Sequence, residues 1–130
     1  MELGKWEKYL FSVSAGTIAL FSGLGFYLIH GTPKIKSLVA SGHNHMLSFA
    51  FGAMIFGLIV HLLGLSEKQQ RYLSIWMTIS FLGPLFLIVA GVTGYTKFLV
   101  YTDAVFQGSF VVLWVILISY ILSSGKKKVM

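Results

Sequence analysis

Residues Ser41–Leu65 read SGHNHMLSFAFGAMIFGLIVHLLGL, and in these 25 residues the chain has no Asp, Glu, Lys or Arg. The ionisable groups of the stretch are three of the chain's four histidines, His43, His45 and His61. From about His43 to Leu65 it is long enough for a helix to cross a hydrocarbon core, which takes about 20 apolar residues. The whole composition agrees. Hydrophobic residues make up 56% of the 130-residue chain and charged residues 11%, against about 25% charged in soluble domains. A soluble fold could not cover its surface with so few charges, so lipid is the expected solvent and the bilayer the first expected partner.

Three further apolar segments flank this one, at about 9–29, 72–95 and 99–122, separated by HGTPKIKSLVASG, SEKQQR and GYTKFLVYTD. The expectation is one domain over 1–130: an all-α, integral membrane, four-helix up-down bundle with spans at about 9–29, 43–65, 72–95 and 99–122. Its scattered Ser, Thr and Gly suit membrane helices, where small residues allow close approach. The segment MELGKWEKYLF has no short apolar core before a small-residue cleavage site, so it does not read as a signal peptide.

Charge sets the expected orientation. Lys5, Lys8, Lys68, Arg71, Lys126, Lys127 and Lys128 fall on one side of this topology, and Lys34, Lys36 and Lys97 on the other. Cationic loops stay inside, so both termini are expected in the cytoplasm, at a prokaryotic inner (cytoplasmic) membrane. The net charge of +6 serves this anchoring. With no basic, aromatic-interleaved polar surface, nucleic acid is not an expected partner. There is no cysteine, which excludes disulfides, thiolate metal sites, iron–sulfur clusters and covalent haem attachment.

The histidines gather near span ends. His30 closes the first helix, His43 and His45 open the second, and His61 lies near its far end. His43 and His61 are 18 residues apart, which is about five turns and about 27 Å along one face. A neutral imidazole in hydrocarbon still has a donor and an acceptor to satisfy; leaving such a group unpaired costs a few kcal/mol (about 2–7). Imidazole is also the commonest metal ligand. Asp103 and Glu67 are the acids nearest the spans, and no carboxylate is expected in their middles, which argues against hard-cation transport and favours haem. Candidate ligands are His30 with His43 or His45 at one margin. At the other, His61 could pair with Met77 on the third helix, with His61 of a second copy, or leave a site open. Lys34 and Lys36 could hold haem propionates. Pro84 should kink the third helix, either as a packing bend or to make room for a bound group.

His43-Asn44-His45 followed by MLSFAFGAMIFGLIVHLL resembles a helix in small membrane relatives of the haem–copper oxidase large subunit. There an H-x-H opens a glycine-containing span that a further histidine can close. Four short helices with histidines near both ends of one helix also resemble the membrane cytochromes b. The resemblance implies haem ligation at His43 or His45, and at His61. It covers about 20 residues and departs from both families: the third and fourth spans have no histidine, and the oxidase copper ligands are missing. Oxygen reduction is therefore not implied.

The expected function is binding of one or two b-type haems for electron transfer or haem-based redox sensing, with a quinol or other redox partner and a homodimer as the expected assembly. Whether this amounts to an enzyme is left open. Two other readings stand beside it: an accessory or structural subunit of a larger membrane complex, and a soft-metal (copper or zinc) binding or transport protein using His43, His45 and His61.

Overall fold

In the computed structural model, residues 2–31 and 33–129 are described, those at 24–30 and 124–129 by backbone alone. The chain is helical, with no strand among the described residues: α1 Lys5–His30, α2 Lys36–Leu62, α3 Glu67–Ser80, α4 Leu82–Thr93 and α5 Lys97–Val129. Helices α3 and α4 are two halves of one stretch. Three stretches, Lys36–Leu62, Glu67–Thr93 and Lys97–Ser123, are each 27 residues long and apolar enough to cross a membrane.

Local chemistry sets the boundaries. Helix α2 begins at Lys36, seven residues ahead of His43, so the H-x-H lies about 10 Å inside regular helix. Ile35 is held just before it, its N–H donating to the Gly91 carbonyl at 2.9 Å. Helix α3 begins inside SEKQQR because Ser66 caps it: the Ser66 side chain accepts from the Gln69 N–H, and the Gln69 side chain accepts from the Ser66 N–H. This reciprocal box satisfies two donors that a helix start would otherwise orphan. Gly94, at φ 77°, ends α4 in the left-handed region and donates its N–H to Ala90 at 2.8 Å.

The break between α3 and α4 has an identifiable cause. Pro84 has no N–H for the carbonyl four residues back, at Ser80, and its ring crowds that carbonyl. Phe81 stays in the right-handed helical region between the halves, its N–H reaching Thr78 and Ile79. The Ser80 hydroxyl turns back onto the Met77 carbonyl at 2.6 Å. At this break the third span changes neighbours: α3 lies against α1 and α5, and α4 lies against α2 and α5.

Of the two readings of Pro84, the geometry supports the packing bend. A Cβ on Gly42 of α2 would stand 2.7 Å from the Pro84 carbonyl oxygen, and one on Gly91 of α4 would stand 2.8 Å from the Ile35 carbonyl. Both positions require glycine for the two backbones to meet this closely. Helices α1 and α2 run antiparallel, Gly57 packing on Leu10 and Phe11 while His43 meets Phe21. The centre is apolar: Leu10, Met46, Ala53, Phe56, Met77 and Leu113 are buried together. Phe49 stacks on Phe110 at 4.0 Å, and Phe56 meets Trp114 edge-on at 5.6 Å, joining α2 to α5.

Candidate functional site

Because α2 is regular helix through residues 43–45, His43 and His45 project about 200° apart. They meet different helices. The Nε2 of His43 lies 2.8 Å from the Phe21 carbonyl oxygen on α1. A carbonyl only accepts, so Nε2 carries the proton. The remaining nitrogen, Nδ1, then presents a lone pair, and it is buried without a hydrogen-bond partner.

His45 turns toward α5. Its Nδ1 lies 3.0 Å from Nε2 of Gln107, and the same amide nitrogen lies 2.8 Å from Oδ2 of Asp103. An amide nitrogen has two hydrogens, so Gln107 donates one to the carboxylate and one to the imidazole. His45 therefore accepts at Nδ1 and keeps its proton on Nε2. Asp103 and Gln107 reach the same neighbour because they stand one turn apart on α5. Asp103 is 5% exposed. Its second oxygen, Oδ1, has no hydrogen-bond partner and is walled by Gly83, where a Cβ would stand 3.2 Å from it.

A second polar pair occupies the other end of α2. His61 Nδ1 lies 3.6 Å from Oε1 of Glu7, with the imidazole 25% and the carboxylate side chain 2% exposed. Glu7 sits in the first turn of α1 and His61 in the last turn of α2. Helix dipoles favour an anion at the former and a cation at the latter. Glu7 Oε2 and the neighbouring Trp6 Nε1 are buried without partners. The spacing of 18 residues thus brings both His43 and His61 against α1, at separate levels.

Of the other candidates, Met77 is fully buried in the core, its sulfur 4.0 Å from the Ser80 hydroxyl, whereas the polar partner of His61 is Glu7. The His30 side chain lies outside the described residues. Its backbone is nine residues beyond Phe21 on α1, so His30 stands about 13 Å further along the axis than the level of His43. Lys34 packs its stem on Gly94. Among the described residues no three His, Cys, Asp or Glu side chains converge as a metal site would need.

Three residues that sequence reasoning did not assign to a site belong here: Glu7, Asp103 and Gln107. Asp103 and Gln107 carried a signal, since two polar residues four apart in an apolar helix share a face that must find partners. Glu7 carried none, because an acid beside Lys5 and Lys8 reads as an interfacial charge.

No family profile, curated protein or solved structure matches this chain.

Proposed function

We propose that this chain is an integral membrane protein, a four-helix up-down bundle with both termini on the cytoplasmic side of a prokaryotic inner membrane, and that Asp103, Gln107 and His45 form a proton-exchanging site near its outer margin. One observation carries the reading: a carboxylate almost sealed from solvent is joined through an amide to an imidazole on another helix. Ionisable groups inside a membrane span are costly, pair with one another, and mark proton or substrate sites. The lysine and arginine asymmetry supports the orientation.

The chemistry follows from the donor count. With Asp103 ionised, the Gln107 nitrogen faces both neighbours and His45 keeps its proton on Nε2. With Asp103 protonated, the acid becomes a donor. The amide then turns over, Oε1 accepts from the acid, and His45 is favoured with its proton on Nδ1. One proton gained at Asp103 moves the imidazole proton from one ring nitrogen to the other. Such a site can take or give the proton of a quinol or another reactant at one membrane face. Phe49, Ala53 and Phe56 separate it from the Glu7–His61 pair, which supports local exchange over a continuous proton path.

The test is isotope-edited spectroscopy of the protein in bilayers. A carboxylic-acid band that comes and goes with pH should vanish in Asp103→Asn, and the His45 ring nitrogens should shift at the same midpoint. Gln107→Leu should break that coincidence. A His45 tautomer indifferent to Asp103 would sink the reading.

A second reading keeps b-type haem, and one observation favours it. The carboxylate of Glu7 faces Nδ1 of His61 and leaves Nε2, as an outer carboxylate orients an iron-ligating imidazole. Haem held there would supply one-electron transfer; this chain offers one such imidazole, His61, and a second would come from His61 of a second copy. The outer trio does not fit a shared iron: His43 donates Nε2 to Phe21, His45 faces α5, and the backbone of His30 lies at another depth. A reduced-minus-oxidised spectrum of protein from its native membrane decides this reading, with His61→Ala abolishing the haem band.

A further inference from the structure

At the start of the third span, Glu67, Lys68, Arg71 and Tyr72 line an open cavity of about 470 Å³. Lys68 and Arg71 are three residues apart on α3, both exposed, and neither makes an ion pair among the described residues. Glu67 occupies the first turn of α3, where its charge complements the helix dipole. The cavity therefore presents two cations and one acid. From it an apolar stripe runs along the outside of the span: Tyr72, Ile75, Ile79 and Leu82 are exposed, while Leu73, Ser74, Met77 and Ser80 face inward. Tyr72 to Leu82 is ten residues, about 15 Å of helix, which equals one leaflet of a hydrocarbon core about 30 Å thick.

We propose that this surface seats an anionic phospholipid, with its phosphate between Lys68 and Arg71 and an acyl chain along Tyr72, Ile75, Ile79 and Leu82. The guanidinium of Arg71 offers a planar donor fork matched to phosphate oxygens, and Lys68 adds a point charge. A headgroup with one net negative charge offsets the single positive charge left after Glu67 is set against Lys68 and Arg71, which a zwitterionic one does not. Tyr72 to Leu82 covers the inner half of the span, enough for the acyl chain of one leaflet, and the exposed apolar face continues along α4 through Leu85, Val89 and Val92. The inference rests on the membrane reading and is independent of the histidine sites.

The test uses the full chain in vesicles of phosphatidylglycerol and phosphatidylcholine, followed by mass spectrometry of the lipid retained on the extracted protein. Selective retention of phosphatidylglycerol is expected. Each basic side chain at a membrane surface is worth about five-fold in affinity, so Lys68→Gln with Arg71→Gln should lower retention about 25-fold. Lys97→Gln, at the far end of the chain's packing, should leave it unchanged. Because both altered side chains are exposed, helical content should be preserved and is checked by circular dichroism. Excess inorganic phosphate should fail to displace the lipid; displacement would make this a free-phosphate site and overturn the proposal. Equal retention of the two lipids by the unaltered chain, or full retention by the double variant, also overturns it. Failure to enter vesicles at all would instead refute the membrane reading on which it depends.

Discussion

The seam between α2 and α4 offers the sharpest test of the packing, through Gly42→Ala. The added Cβ would stand 2.7 Å from both the Pro84 carbonyl oxygen and Ile88 Cγ1, and 3.0 Å from the Ile88 nitrogen. Comfortable contact is about 3.5–4.0 Å, so the helices must part by about 1 Å. Two of the three atoms are backbone and cannot swing aside. Overpacking of this kind costs about 1–3 kcal/mol, and the backbone neighbours argue for the upper part of that range. Alanine regains about 0.5–1 kcal/mol of helix propensity, leaving a net loss of about 1–2 kcal/mol. Gly108→Ala is the internal control. It sits in α5 with nothing within 4 Å of its added methyl, so it should stabilise by the propensity gain of about 0.5–1 kcal/mol. The measurement is reversible unfolding in mixed detergent followed by helical circular dichroism. If Gly42→Ala proves as stable as Gly108→Ala, the close approach of these two helices is wrong.

Other expectations concern the polar pairs. Gln107→Leu orphans Asp103 Oδ2 and His45 Nδ1 together and should cost about 2–4 kcal/mol in the same unfolding assay, at about 1–3 kcal/mol per buried unsatisfied group. Asp103→Asn should cost less, because the side-chain amide can still pair with Gln107. His61→Ala leaves the Glu7 carboxylate buried and unpaired; with the imidazole partly exposed, a loss of about 1–3 kcal/mol is expected, below the 3–5 of a fully buried pair. His43→Phe removes the bond to Phe21 together with the unpartnered Nδ1, so it should cost under about 1 kcal/mol. His43→Ala, which opens a cavity, should cost about 2–4 kcal/mol. A larger loss in His43→Phe than in His43→Ala would show that the ring's polarity matters more than its volume.

The long apolar runs made the helical class legible, because a segment such as 43–65 has no polar face to offer water. Pro84 announced the break in the third span for an equally local reason. The start of α3 at Glu67, five residues ahead of the expected start near Tyr72, had a signal in the S-x-x-Q of Ser66 to Gln69, but the charges of SEKQQR read as a loop. Partners were not legible. That His43 and His45 diverge follows from helical arithmetic, but that one meets Phe21 and the other Gln107 depends on how three helices are staggered. The stagger comes from Gly42, Gly83 and Gly91, whose missing side chains set the depth of contact. A one-turn slide at any of them would give each histidine a different neighbour while leaving every span equally apolar. The same dependence hid Glu7, whose burial exists only because α2 ends beside the start of α1.

The exchange of neighbours at Phe81 gives the molecule two storeys with different braces, joined by the continuous helices α2 and α5. The half nearer the chain's start is braced by α3 and contains the Glu7–His61 pair. The half nearer Lys36 is braced by α4 and contains Asp103, Gln107 and His45. A tilt imposed on α1 loads α3 directly and reaches α4 through α2, which packs against both α1 and α4. A change made in α3 therefore acts first on the Glu7–His61 station, and one made in α4 acts first on Asp103, which lies against Gly83.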